Sequence, residues 1–209
     1  MILGPAIIKQ CSACSKLIKQ FTIQSGNTFG AKFWTDGKHE APMLPDQPWL
    51  VICPHCHAPL WINELEPLGE SNLWGKWNDN FTDALHYKLP SLDDYFSSLK
   101  QGVNESWKER YIRLRAWWAG NDLRRNQETD IPMSAREAAN LAVFATMLDE
   151  SDADERVIKA EVLRELSHFD EAKELLTSAV DQPVVAMIKG LIEKGDPCVR
   201  QIHFNETPT

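Results

Sequence analysis

The chain has 209 residues, a 43% hydrophobic composition and a formal net charge of −8, with a pI near 5.3. This is the make-up of a folded globular protein of one large domain or two small ones. Its acidity argues against a surface that grips nucleic acid over its whole extent. Cationic residues concentrate in 1–62 and 100–125, and the acidic excess lies in 63–99 and 126–209, so any contact with a polyanion is confined to the two cationic stretches. No window reaches the roughly 18 apolar residues that a membrane helix needs. The opening Met1 to Ile8 is apolar but short, with no charged residue before it, and reads as mature sequence.

In chain order, residues 7–62 alternate short β-prone runs with turn residues. The runs are Ile7-Ile8, Phe21 to Ile23, Ala31 to Trp34, Trp49 to Ile52 and Leu60 to Ile62. Ser25-Gly26-Asn27, the hairpin dipeptide Asp36-Gly37 and the proline-rich 41–48 punctuate them. Ser25 to Gly30 holds two glycines but has neither the lysine nor the strand-to-helix setting of a phosphate loop.

Two Cys-x-x-Cys pairs, Cys11 with Cys14 and Cys53 with Cys56, bracket this β module. A two-residue spacer lets both sulfurs of a tight turn face one ion, and two such pairs supply the ligands of a tetrahedral structural zinc site. The module is near the size at which a metal is usually needed to close the core. The rival reading is thiol redox chemistry at Cys53-Pro54-His55-Cys56, which needs the first cysteine at a helix N-terminus. Pro59 and the strand-like Leu60 to Ile62 argue against a helix there. His55 and His57 are spare donors that a four-cysteine site does not need. With Cys198 as the one cysteine outside these pairs, the usage fits a reducing compartment, and a cytoplasmic location is expected.

Residues 66–90 read as an aromatic-rich connector with Trp74, Trp77, Phe81 and Tyr87. From there the periodicity is helical. Ser91 caps a helix bearing Leu92, Tyr95, Phe96 and Leu99. Asn104 opens a longer helix to about Arg125, with Trp107, Tyr111, Leu114 and Trp118 as its expected core stripe. Ser134 and Glu137 form a capping box for the next helix, and further helices are expected at about 152–166, 170–180 and 183–194. Their short connections imply antiparallel neighbours. Residues 201–209 read as a flexible tail.

The long helix carries Arg110, Arg113, Trp117 and Arg124 off its expected core stripe. This is a candidate interaction surface, since cations flanking a tryptophan suit a phosphate backbone and a stacked base. The competing reading pairs those arginines with the acidic C-terminal helices. Asn121 and Asp122, after Gly120, read as a helix end. The histidines show no His-x-x-x-His spacing, and no serine, histidine and acid constellation is visible.

The front of the chain resembles a zinc ribbon, which implies that Cys11, Cys14, Cys53 and Cys56 are all ligands of a structural Zn2+. It departs from that pattern in two ways. The pairs are 38 residues apart, beyond the usual 15–20, and Ser15 and His57 stand where a glycine usually follows each second cysteine. Glu165 to Ala172, with Leu176 and Ala179, resembles the turn and second helix of a tetratricopeptide repeat, with Phe169, Ala172 and Ala179 on its packing positions. The resemblance covers one half-repeat, and Arg156 stands where the preceding helix should carry an aromatic. The whole chain is similar to bacterial proteins that place a zinc ribbon before an all-helical segment, which implies an architecture and no activity.

The expected fold is α+β: a zinc-ribbon-like module over 1–65, the connector over 66–90, a tetratricopeptide-like helical bundle over 91–200 and the tail. The expected function is non-enzymatic, an adaptor that binds another protein. The alternative is a nucleic-acid-binding or regulatory protein that uses the ribbon and helix 104–125. No membrane association is expected.

Overall fold

The structure is a computed structural model, and it describes residues 1–71, 81–125, 131–177, 179 and 182–203. In chain order the strands are β1 (Ile2–Leu3), β2 (Ala6–Gln10), β3 (Leu17–Gln20), β4 (Ile23–Ser25), β5 (Lys32–Trp34), β6 (His39–Glu40), β7 (Leu50–Ile52), β8 (Pro59–Trp61), β9 (Pro67–Ser71) and β10 (Leu85–His86). Helices α1 (Leu92–Gln101), α2 (Ser106–Asp122), α3 (Ala135–Thr146), α4 (Ala153–Glu165), α5 (Phe169–Leu175) and α6 (Pro183–Glu193) follow, then β11 (Gln201–Ile202). The fold is α+β. The chain divides into two compact units, Met1–Ala31 with Glu40–Ser98, and Lys32–His39 with Leu99–Thr209.

The first unit is built on two hairpins. Strands β2 and β3 pair antiparallel, β9 adds antiparallel to β2, and β10 adds parallel to β3. The second hairpin pairs β7 with β8. Alternation decides which faces are buried: Ala6 and Ile8 on β2 and Ile18 on β3 point inward, while β7, an apolar run of Leu50, Val51 and Ile52, is buried throughout. Ile18, Val51, Leu60 and Ile62 form one core cluster, and Cys11 and Cys53 belong to it. Lys9 links the two hairpins, its buried Nζ donating to the Ile62 carbonyl at 2.5 Å.

In the second unit α4 is shared by two core clusters. Ala160 and Leu163 pack with Ala172 and Leu176, and with Val185, Ile188 and Ile192 of α6. On its other side Val162 meets Trp117 of α2 and Leu141, Phe144, Ala145 and Leu148 at α3. Each fully buried aliphatic of this kind contributes about 1.5–3 kcal/mol of transfer free energy. The Ser134–Glu137 capping box is present, with Glu137 Oε2 accepting from the Ser134 amide at 2.9 Å. Just beyond α4, Ser167 has a φ of +64° that lets the His168 amide turn back to the Leu163 carbonyl.

Several boundaries differ from the sequence expectation. Lys32–His39, expected inside the ribbon, belongs to the helical unit, where β5 pairs with β11. Gln201 and Ile202, expected in a flexible tail, form β11, and residues 204–209 lie outside the described residues. The connector supplies β9 and β10 to the first sheet, while Trp74 and Trp77 lie outside the described residues.

Helix α2 begins at Ser106, because Glu105 before it has an extended backbone. Its buried side chains are Lys108, Ile112, Ala116, Trp117 and Asn121, with Gly120 beside them, whereas Trp107 of the expected stripe is 46% exposed. Aromatic residues stand on more than one face of this helix, so their spacing alone does not select the inward one.

Candidate metal centre

Each Cys-x-x-Cys pair sits at the tip of a hairpin, the first between β2 and β3 and the second between β7 and β8. The two tips share one hydrogen-bond pattern. The Ser15 amide donates to the Cys11 carbonyl at 2.9 Å and the Cys11 amide to the Lys16 carbonyl at 2.9 Å. In the second tip His57 donates to Cys53 at 3.1 Å and Cys53 to Ala58 at 2.9 Å. Both turns pass through the left-handed region, at φ +60° for Ser15 and +61° for His57. Side chains therefore occupy the position that glycine usually takes, at a cost of about 1–2 kcal/mol each. Ser15→Gly and His57→Gly are expected to raise the stability of the metal-loaded protein by about 0.5–1 kcal/mol each, measured by equilibrium urea unfolding. A loss of stability would show instead that the Ser15 and His57 side chains make compensating contacts.

The hairpins bring the four sulfurs together. Cys11 Sγ lies 3.8 Å from Cys56 Sγ, Cys14 Sγ lies 3.8 Å from Cys53 Sγ, and all four fall within 4.8 Å of one another. Four sulfurs placed tetrahedrally about 2.3 Å from one ion lie about 3.8 Å apart. A disulfide would need about 2.05 Å. The spacing is one at which a single metal ion could be held. Cys11 and Cys53 are buried, Cys14 is half-buried and Cys56 is exposed.

Burial pushes the Cys11 thiol up to about 12. Burial also opposes ionisation of Cys53, but the amides of Cys56 and His55 outweigh it and bring that thiol down to about 7. A divalent cation would supply the charge that lets all four ionise. With four protein ligands no position remains for a reactive water. His55 is committed elsewhere, its Nε2 lying 3.0 Å from the Leu17 carbonyl. Pro59 opens strand β8 beyond the second pair, so Cys53 does not lie at the helix N-terminus that thiol redox chemistry needs.

The candidate interaction residues on α2 and in the turn after it are engaged inside the helical unit. Arg110 Nη2 donates to Glu155 Oε1 at 2.6 Å. Arg113 holds Glu109 through Nε and Nη2 at 2.9 and 2.7 Å and reaches Asn140 Oδ1 at 3.2 Å. Arg124 pairs with Glu137 at 2.7 Å, and both side chains are about nine-tenths buried. Burial works against the Glu137 carboxylate, yet Arg124 and Ser134 keep it below the usual carboxylate range. Trp117 is 3% exposed and donates from Nε1 to Glu165 at 2.9 Å.

Around Trp117 lies a buried ionic cluster that sequence reasoning missed. Asp36, at the turn between β5 and β6, accepts from Arg125 Nη2 at 2.5 Å and from Asn121 Nδ2 at 2.9 Å. Asn121 Nδ2 also reaches Glu165 Oε1 at 3.1 Å, and the Arg125 guanidinium stacks 4.7 Å from the Trp34 ring centroid. Burial, with Glu161 and Asp36 nearby, pushes the Glu165 carboxyl up to about 8, so near neutral pH it is largely uncharged. The local signals were Asp36-Gly37 and the helix-end Asn121, each of which reads alone as a turn residue. Their long-range pairing leaves no mark in local periodicity.

No helix among the described residues is long and apolar enough to cross a membrane. Comparison of the chain with known protein families, with curated proteins and with solved structures finds no match.

Proposed function

We propose that this is a zinc protein in which one structural Zn2+ closes the hairpin unit, and that the protein acts as a non-enzymatic adaptor for another protein. The observation that carries the metal reading is the sulfur tetrad, with two opposite edges at 3.8 Å, the zinc–thiolate value, and all four sulfurs within 4.8 Å of one another. An all-thiolate tetrahedral donor set favours zinc over calcium or magnesium, which take oxygen ligands.

The adaptor reading is supported by apolar side chains left at the surface of the first unit. Leu3, Phe21, Ile23, Tyr87 and Leu89 line a cavity of about 410 Å³, and Leu89 is 67% exposed. The α4–α5 hairpin, with Phe169 and Ala172 packed inward, supports a tetratricopeptide-like reading of the helical unit. The nucleic-acid reading has less support, because the arginines it needs are held by Glu155, Glu109 and Glu137.

Metal analysis of the purified chain is expected to give one zinc per molecule. A protein captured by cross-linking should be lost when Phe21 and Leu89 are both changed to aspartate. Capture that survives this double change would overturn the adaptor surface, and a salt-sensitive affinity for single-stranded nucleic acid would favour the alternative.

A further inference from the structure

We propose that Cys56 is a peroxide-modification site and that its oxidation links Cys56 to Cys11, dismantling the metal centre. The inference rests on the zinc reading above. Three observations carry it. Cys56 is exposed, Cys14 is half-buried, and Cys11 and Cys53 are 1% and 0% exposed, so Cys56 is the cysteine of the tetrad most open to a dissolved oxidant. The sulfur 3.8 Å away across the tetrad is Cys11, on the other hairpin. Cys11 and Cys53 are also part of the core cluster with Ile18, Val51, Leu60 and Ile62, so loss of the ligands is loss of packing.

The chemistry balances with hydrogen peroxide as the oxidant. The Cys56 thiolate attacks one peroxide oxygen; an S–O bond forms, the O–O bond breaks, and hydroxide leaves and is protonated to water. The Cys11 thiolate then attacks the Cys56 sulfenic sulfur; the S–S bond forms, the S–O bond breaks, and the second hydroxide is protonated to water. Two thiolates, one peroxide and two protons give one disulfide and two waters, and the two electrons gained by peroxide come from the two sulfurs. The sulfurs must close from 3.8 Å to about 2.05 Å, and zinc keeps only Cys14 and Cys53. Two remaining thiolates do not hold a structural zinc. The hairpin tips, with Ser15 and His57 in the left-handed region, then lose the ion that fixes them.

The test uses the full chain loaded with zinc, in a Cys198→Ser background that removes the cysteine outside the tetrad. Hydrogen peroxide is added, released metal is followed with a chromogenic chelator, and the first disulfide is mapped by peptide mass spectrometry. The expected result is one zinc released per peroxide consumed, a Cys11–Cys56 linkage, and recovery with dithiothreitol and zinc. A Cys56→His variant, in which an imidazole takes the exposed position, is expected to release zinc at least about tenfold more slowly. Release at an unchanged rate in that variant, or a first disulfide within one pair, would overturn the inference. Should the variant fail to load zinc, the mapped linkage in the Cys198→Ser chain decides alone. A chain that never holds zinc overturns the zinc reading, whereas a zinc-loaded chain that resists peroxide overturns only this inference.

Discussion

Cys53→Ser is expected to abolish stoichiometric zinc binding and to unfold the hairpin unit. Cys53 is fully buried and sits in the core cluster beside Val51 and Leu60. Serine is a poor zinc ligand, since structural zinc sites are built from thiolate and imidazole donors. In small metal-closed modules the binding free energy, about 10–16 kcal/mol for structural zinc peptides, is folding free energy, so losing one of four ligands removes a large share of the stability. The measurements are metal content by atomic absorption and tryptophan fluorescence, with Trp49 and Trp61 as reporters from the hairpin unit. Helical circular dichroism from the second unit should persist. Cys198→Ser, outside the tetrad, should leave zinc content unchanged. A Cys53→Ser protein that keeps a full equivalent of zinc and a native emission spectrum would show that the metal is not what closes this unit.

Features set by short-range spacing were legible in the sequence, and features set by distant pairing were not. The two cysteine pairs, the Ser134 cap and the spans of α4 and α6 each rest on residues within a turn or two of one another. Ser15 and His57 were legible as departures from the glycine pattern, and the structure shows that the backbone takes the left-handed turn regardless. By contrast, the move of Lys32–His39 into the helical unit depends on β5 pairing with β11, more than 160 residues away in sequence. The inward face of α2 was misjudged for a related reason. Large aromatics suggested the stripe Trp107, Tyr111, Leu114 and Trp118, but the face is fixed by Asn121 and Trp117 reaching Asp36 and Glu165. Arginines that looked like an exposed cationic face are matched to carboxylates on α3 and α4 or one turn away on α2.

Arg125→Ala is expected to destabilise the helical unit by about 3–5 kcal/mol, the usual cost of stranding one partner of a buried ion pair. Both side chains of the Arg125–Asp36 pair are almost wholly buried, at 3% and 0% exposure. Removing Arg125 takes away the guanidinium paired with the Asp36 carboxylate, which keeps the Asn121 amide and the Lys38 backbone N–H as donors. It also removes the cation stacked on Trp34 and the link from Nε to Asp122 at 2.8 Å. Glu165 supplies no counter-charge, since a carboxyl group is neutral or negative, and it accepts from Trp117 and Asn121. The pair is not the only way to fill this space, since buried ion pairs are often replaceable by apolar groups of similar volume. The double change Arg125→Met with Asp36→Leu should therefore cost less than Arg125→Ala alone. Urea unfolding of the single and double variants, read as a double-mutant cycle, measures the coupling. Additive losses would mean that Asp36 and Arg125 hold the β5–β6 turn to α2 independently, through packing rather than through charge.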